Sequence, residues 1–260
     1  MIQELVGRVE PINHFVDILD RIERQGPVSS NLIEYYGSPG IGKSTLLVEL
    51  ARKSEKKGAR VAMINFENED TGELERDPTL LIEKLANQLG INRGNFAKAL
   101  AVYRQSSLPS EGVVAAYANM NQETRLYRRP DWLNKLREMD VEFIKAVNES
   151  KSPMVLLFDE ADETSVEVLD FAEEWIMNPI AQVKTAIIGF AATRPWRWKR
   201  PEIRRRLTST QIGTLKKEEV GEWLRQEWPN WKGSLTSAII GDIYQTTGGH
   251  PGAIQAVIES

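Results

Sequence analysis

The sequence predicts an α/β protein built on a doubly wound parallel sheet, followed by a small helical subdomain. Four short runs are rich in apolar, strand-forming residues, and they lie at 31–36, 59–67, 152–162 and 184–195. Strands that are apolar at nearly every position are typical of parallel sheets, because such sheets are buried on both faces. Segments with helical periodicity separate the strands, which is the alternation that βαβ units produce.

The first βαβ unit spans residues 31–67. Its strand is followed by a glycine-containing loop and then by a segment with apolar residues at helical spacing, namely Leu46, Leu47, Leu50 and Ala51. Lys56, Lys57 and Gly58 give the predicted helix a basic last turn and a glycine stop. The second strand follows directly.

The stretch between the second and third strands contains two predicted helices. One spans 78–89, with Asp77 as its N-cap and Pro78 at its first position, and the other spans 130–147. Between them, residues 105–129 are polar and poorly periodic. We interpret these residues as an insertion or a mobile loop.

The pattern changes after about residue 209. Before it, a helix at 164–177 joins the third and fourth strands. After it, the last fifty residues contain three amphipathic helices in succession, and Pro251 lies near the first turn of the last one. We therefore expect an α/β domain at 1–208 and a helical subdomain at 209–260. Five of the seven tryptophans follow residue 195, and their simplest role is to fill the core of this small subdomain.

The composition excludes several classes of function. The chain has 260 residues, a formal net charge of −4 and no cysteine, so disulfides and thiolate metal sites are ruled out. Its two histidines, His14 and His250, are too few for an obvious zinc site. We find no signal-peptide pattern and no apolar run of about 18 residues, and we expect a cytoplasmic protein without a membrane partner.

The loop after the first strand carries the strongest functional signal. Gly37, Gly42, Lys43 and Ser44 match the spacing G-x-x-x-x-G-K-[ST], and the match lies between a strand and a helix, as this motif requires. Glycines let backbone N–H groups surround a phosphate, and the helix N-terminus adds partial positive charge. Lys43 would reach the β- and γ-phosphates of a nucleotide, and the Ser44 hydroxyl would bind Mg²⁺.

Acidic residues at the end of the third strand provide the expected partner for this loop. MVLLFDE places Asp159 at the carboxyl end of a buried strand, where α/β sheets bind their ligands. We expect Asp159 to bind Mg²⁺ and Glu160 to polarise the attacking water as general base. Asp162 and Glu163 are more simply explained as surface charges.

The end of the fourth strand supplies a third group of candidates. Thr193 lies at the strand tip and could sense the γ-phosphate, and Arg194 could contact phosphate oxygens. A simpler alternative is a strand end that is finished by a turn-forming Arg-Pro pair.

These segments together resemble the STAND class of P-loop ATPases, which are relatives of the AAA+ and origin-recognition ATPases. The likeness rests on LVGRVEPINHFVDIL at 5–19, GSPGIGKST, LLFDEAD, ATR at 192–194 and TGGHPGAI at 247–254. In the first segment Val9 stands where the family usually has an acid. The resemblance implies an ASCE-type P-loop fold with a helical lid, and nucleotide contacts from Val6, Gly7, Arg8, Ser38, Pro39, Gly40, Ile41, Gly42, Lys43, Ser44, Thr45 and Pro251.

The resemblance also implies a function. STAND proteins are slow ATPases that act as switches: ADP holds a closed monomer, and ATP with Mg²⁺ permits oligomerisation. They carry effector and sensor domains on a longer chain, and we expect this chain to be a fragment that ends within the lid. Residues 241–260 contain no arginine, whereas origin-recognition ATPases usually have one there, so this difference favours the STAND class.

Two other classes of function remain open. Residues 194–206 contain seven basic residues and two tryptophans, a pattern that could bind DNA or RNA in a motor or loader. Within it, Arg204, Arg205 and Arg206 could form an arginine finger or simply a basic helix face. The other alternative is a binding module that keeps ADP as a structural cofactor without hydrolysis.

Overall fold

The computed structural model describes residues 5–106 apart from 25, 27 and 29, together with residues 131–227 and 235–259. The predicted insertion or mobile loop at 105–129 therefore lies outside the described residues from position 107 onward. No helix within the described ranges is long and apolar enough to cross a membrane.

Five parallel strands form one sheet in the order β2-β3-β4-β1-β5, which confirms the predicted fold class. The strands are β1 (Leu32–Tyr36), β2 (Arg60–Asn65), β3 (Met154–Asp159), β4 (Ala186–Ala192) and β5 (Leu207–Gln211). β5 was not predicted from the sequence. Its sequence, LTSTQ, has a single apolar residue, and the strand exists because it pairs with β1 at the edge of the sheet.

Helices cover both faces of the sheet. They are α1 (Val9–Glu23), α2 (Lys43–Lys56), α3 (Thr71–Arg76), α4 (Thr79–Gln88), α5 (Gly94–Arg104), α6 (Asp131–Asn148), α7 (Val166–Ala172), α8 (Asn178–Ala181) and α9 (Pro201–Arg206). A π-helical turn, Glu173–Met177, makes α7 and α8 one continuous rod. Pro78 lies just before α4 and not at its first position, while Asp77 accepts a hydrogen bond from the Thr79 N–H at 3.2 Å, as a cap does.

Alternate residues of the central strands point into two separate apolar layers. Leu156 and Phe158 of β3 pack under the layer that contains α4 to α8, whereas Val155 and Leu157 pack under α1 and α2. All four side chains are fully buried. This alternation explains why the strand sequence is apolar at every position, as the sequence analysis assumed.

The remaining helices build a small lid with its own apolar cluster. They are α10 (Lys217–Glu227), α11 (Ser237–Thr247) and α12 (Pro251–Glu259). The lid cluster is formed by Leu215, Val220, Leu224, Ile240, Ile243 and Ile254. Gly248 follows the last residue of α11 and has a φ of 59°, the left-handed conformation that commonly closes a helix.

Candidate nucleotide-binding site

Residues 37–44, hereafter the P-loop, connect β1 to the N-terminus of α2. Gly40 and Gly42 have φ values of 72° and 96°, in the left-handed region that favours glycine. A Cβ on Gly37 would lie 2.7 Å from the Ile212 carbonyl oxygen, so any larger residue at this position would clash with the backbone. No side chain of the described residues caps α2, which leaves its first N–H groups available to an anion.

Lys43 lies inside the P-loop. Its side chain is buried, and its ammonium donates to the carbonyl oxygens of Gly37 at 3.1 Å and Ser38 at 3.3 Å. The P-loop thus holds one buried positive charge at its centre. A phosphate entering the P-loop would meet this charge together with the backbone N–H groups of α2.

Asp159 is completely buried at the end of β3. Its Oδ1 accepts a hydrogen bond from the Glu160 N–H at 3.0 Å, while Oδ2 has no hydrogen-bond partner among the described residues. Burial raises the pKa of Asp159, and the nearby Ser44 hydroxyl and Lys43 charge oppose that shift. A buried carboxylate oxygen beside a hydroxyl fits Mg²⁺, which prefers hard oxygen ligands.

Glu160 has a strained backbone. Among the described non-glycine residues it alone has a positive φ, at 50°, which costs on the order of 1–3 kcal/mol. The left-handed turn directs the carboxylate towards the P-loop, where Oε1 accepts a hydrogen bond from the Ser44 hydroxyl at 2.9 Å. Strain of this kind is found at functional sites, because the surrounding fold must hold it in place.

Arg8 ties the N-terminal segment to the P-loop. Its buried guanidinium donates to the carbonyl oxygens of Ile41 at 2.8 Å and Gly7 at 2.9 Å. Burial lowers the pKa of Arg8, and the carboxylate of Glu219 opposes that shift. Arg8 therefore supports the P-loop backbone around the expected phosphate site, in addition to any contact that it makes with the adenine of a nucleotide.

A cavity of about 470 Å³ opens between the P-loop, the N-terminal segment and the lid. Many of the predicted site residues line it, namely Val6, Arg8, Gly40, Ile41, Gly42, Lys43, Ser44, Thr45, Glu160 and Pro251. Elements from both ends of the chain thus meet around one cavity. A volume of this size lies in the range of small-molecule sites.

Other predicted residues lie outside this lining. Asp159 is buried next to Ser44 and Lys43, Gly7 borders a neighbouring cavity, and Ser38 and Pro39 are exposed residues of the P-loop. Thr193 donates from its N–H and its hydroxyl to the carboxylate of Asp162.

Arg194 is exposed, so the structure does not bring its side chain to the cavity. Asp162 is exposed, as expected of a surface charge, and its carboxylate also holds the end of β4 by accepting hydrogen bonds from the Thr193 N–H and hydroxyl.

The lid contributes lining residues that the sequence analysis did not select, namely Leu215, Trp223, Glu227, Gly252 and Gln255. Trp223 was interpreted as core. It does pack against the lid cluster, but it also faces the cavity. The spacing of Trp223 and Glu227, four residues apart on α10, is the signal that could have placed both on one helix face.

The basic segment after β4, residues 194–206, is held by two buried glutamates, one on the sheet and one on the π-helical turn. Glu34 in the middle of β1 accepts hydrogen bonds from the Trp196 N–H at 2.7 Å and the Trp198 indole at 3.1 Å. Glu173, at the start of the π-helical turn, accepts from the N–H groups of Lys199 and Arg200, at 2.7 and 2.6 Å.

Four arginines project from this fixed segment and form no salt bridge within the described part of the chain. They are Arg194, Arg197, Arg204 and Arg205, and all four are exposed. By contrast, Lys199 pairs with Asp170, and Arg200 pairs with Glu174 at 2.8 Å.

Solved structures share this fold. Cdc6p from Pyrobaculum aerophilum is 16% identical with a TM-score of 0.58, and the match covers 97% of this chain and 60% of that chain. ORC1 from Aeropyrum pernix, solved in complex with DNA, is 12% identical with a TM-score of 0.52, over 97% of this chain and 59% of that chain.

A STAND protein with a tetratricopeptide repeat sensor from Pyrococcus horikoshii gives 13% identity and a TM-score of 0.48, over 96% of this chain and 29% of that chain. This similarity is too low to support the signal-transduction class. No curated protein matches the chain.

The sequence itself matches the family model described as the AAA ATPase domain over residues 4–174. The match includes α1, the P-loop and both acidic residues at the end of β3. A P-loop between β1 and α2, a five-stranded parallel sheet and a helical lid agree with this assignment. The chain therefore belongs to the AAA ATPase domain family, as a P-loop module of the AAA+ type.

Proposed function

We propose that this chain is the nucleotide-binding and oligomerisation module of a signal-transduction ATPase, off with ADP and on with ATP. The single observation that carries the proposal is the position of the lid. The Gly252 N–H donates to the Gly40 carbonyl at 3.1 Å, so the lid lies directly on the P-loop. A bound nucleotide would therefore contact both parts and could bias their relative position.

Each part of the site has a role in this proposal. The N–H groups at the start of α2 and the Lys43 ammonium bind the phosphates, and Ser44 with Asp159 would hold Mg²⁺. The metal would neutralise charge on the phosphate oxygens. Val6 and Pro251, from opposite ends of the chain, would enclose the base.

We expect slow hydrolysis because the contact between Ser44 and Glu160 must rearrange before the reaction. The Ser44 hydroxyl, the expected Mg²⁺ ligand, donates to Oε1 of Glu160, which leaves Oε2 to accept from water. Ser44 must turn from Glu160 to the metal before both groups are in their catalytic positions. We therefore expect turnover well below the common range of about 1–10³ s⁻¹.

The direct test is the nucleotide that purified protein retains, identified by mass spectrometry after denaturation. Retained ADP, followed by self-association when a non-hydrolysable ATP analogue replaces it, is the expected result in light scattering. The Lys43→Ala variant is the control that should retain no nucleotide. A wild-type chain that retains none and fails to bind ADP in calorimetry would contradict the proposal.

The second candidate is an AAA+-type ATPase that loads on or remodels DNA. It is favoured by the four exposed arginines of residues 194–206, because unpaired cations on an ordered segment can bind phosphates. In a gel-shift titration, binding that weakens steeply with salt, and that is lost in an Arg204→Ala/Arg205→Ala variant, would support this candidate. No shift at low salt would exclude it.

A further inference from the structure

His250 connects the lid to the outside of the P-loop. Its Nε2 lies 3.2 Å from the Ser38 hydroxyl oxygen, two residues before the backbone bond from the Gly252 N–H to the Gly40 carbonyl. His250 is not among the residues that line the cavity, and its ring lies beside Gly40 and Ser38 of the P-loop. Any effect that it has on a bound nucleotide must therefore pass through the P-loop or the lid.

The imidazole is oriented by its own helix. The Ala253 N–H, in the first turn of α12, donates to Nδ1 of His250 at 3.4 Å. A neutral imidazole that accepts at Nδ1 carries its proton at Nε2. Nε2 is then the donor to the Ser38 hydroxyl oxygen, and the ring forms a bridge from α12 to the P-loop.

Close approach of the two backbones depends on glycines. A Cβ on Gly40 would lie 3.3 Å from the His250 ring, and a Cβ on Gly252 would lie 3.3 Å from the Gly40 carbonyl oxygen. On the other side of His250, the Leu215 N–H donates to the Gly249 carbonyl at 2.8 Å. A Cβ on Gly249 would lie only 2.0 Å from the Leu215 carbonyl oxygen. His250 is thus held between two tightly fitted backbone contacts.

We propose that His250 is a positioning residue that latches the lid to the P-loop at Ser38 and thereby slows the release of nucleotide. The inference rests on the nucleotide site proposed above. The helix that the latch holds, α12, brings Pro251 and Gln255 to the cavity wall. Loss of the latch lets this wall move away from the cavity, while the phosphate-binding groups stay in place.

A fluorescent ADP with an N-methylanthraniloyl group tests the latch by stopped-flow release. Because one hydrogen bond is lost, His250→Ala and Ser38→Ala should each speed release about three- to tenfold. The double variant should be no faster than the faster single variant, since both changes break the same contact. His250→Gln keeps an N–H donor and should restore most of the slow release. His14→Ala, at the only other histidine, is the matched control and should behave as wild type.

Hydrogen exchange without nucleotide gives an independent readout. The Gly252 amide should exchange faster in His250→Ala than in wild type, whereas amides of β3 should not change. If wild type binds the fluorescent ADP and His250→Ala releases it at the same rate, the latch is wrong and the nucleotide site still stands. If wild type does not bind the fluorescent ADP, the proposed nucleotide site is wrong. The contact between His250 and Ser38 is then tested by the exchange rate of the Gly252 amide alone, and an unchanged rate in His250→Ala would overturn it.

Discussion

The Ser44 hydroxyl donates a 2.9 Å hydrogen bond to Oε1 of Glu160, so the expected cation ligand and the expected general base are in direct contact. The contact exists because Glu160 adopts a left-handed backbone conformation at the end of β3. One residue earlier, Asp159 keeps a buried oxygen that has no hydrogen-bond partner among the described residues. The two neighbouring acids are therefore placed differently: Asp159 is fully buried, and Glu160 faces the P-loop.

We expect Glu160→Gln to bind ATP normally and to hydrolyse it on the order of 10²-fold more slowly, because the amide keeps the shape but is not a base. Phosphate release at saturating ATP, with binding followed by calorimetry, is the measurement. Glu163→Gln changes a nearby exposed acid and should leave the rate unaltered. Equal turnover in wild type and Glu160→Gln would move the role of general base to another group.

We expect Lys43→Ala to weaken Mg-nucleotide binding at least tenfold, about 1.4 kcal/mol or more, because it removes the buried cation of the P-loop. Calorimetric titration with ADP and with ATP measures the change. Lys56→Ala removes an exposed lysine near the end of the same helix and serves as control. If both variants kept wild-type affinity, the phosphates would not bind in the P-loop.

Asp140, on α6, should make the free energy of unfolding depend on pH. Burial raises the pKa of this carboxyl to about 7, and its Oδ1 has no hydrogen-bond partner within the described ranges. The unfolded chain, with an ordinary pKa near 3.9, loses its proton first as pH rises, so the folded state loses stability between about pH 4 and 7.

Asp140→Asn should therefore raise the free energy of unfolding at pH 8 by about 2–4 kcal/mol and change it little near pH 4. Urea denaturation at both pH values measures the difference. Asp131→Asn, at an exposed site on the same helix, should show no such pH dependence. A gain that is the same at both pH values would indicate a packing effect and not titration.

Glu34 should be important for stability. Besides Trp196 and Trp198, the Ser209 hydroxyl donates to it at 2.7 Å, so β1, β5 and the basic segment share one buried carboxylate. Glu34→Ala leaves these donors unpaired and should cost about 3 kcal/mol in urea denaturation.

The matched variant is Glu34→Gln, which keeps the volume and one acceptor oxygen, and it should lose clearly less stability. Tryptophan emission should shift to longer wavelength in Glu34→Ala, because Trp198 loses its hydrogen bond and its burial. Equal stability of the two variants would show that volume, and not hydrogen bonding, is what matters at this position.

The sequence predicted the parts of this protein that depend on local pattern. The P-loop follows from residue spacing, and the strands that are buried on both faces follow from apolar runs. β5 could not be predicted because its residues are mostly polar and its partner residues in β1 lie 175 positions away, as in the pair Leu32 and Leu207. The positive φ of Glu160 depends on tertiary packing, which no local pattern encodes. The spacing of Trp223 and Glu227 could have placed them on one helix face, but it does not tell that this face lines the cavity.

Glu34 and Glu173 act as clamps on residues 194–206, because their carboxylates accept hydrogen bonds from this segment. A basic loop without clamps would have to become ordered when it met an anionic surface, at roughly 1–2 kcal/mol for each backbone residue fixed. Here the carboxylates fix the backbone during folding, and the unpaired arginines project from an already rigid support. Contact with a partner would then cost only side-chain freedom, so association would be fast and would weaken as salt concentration rises.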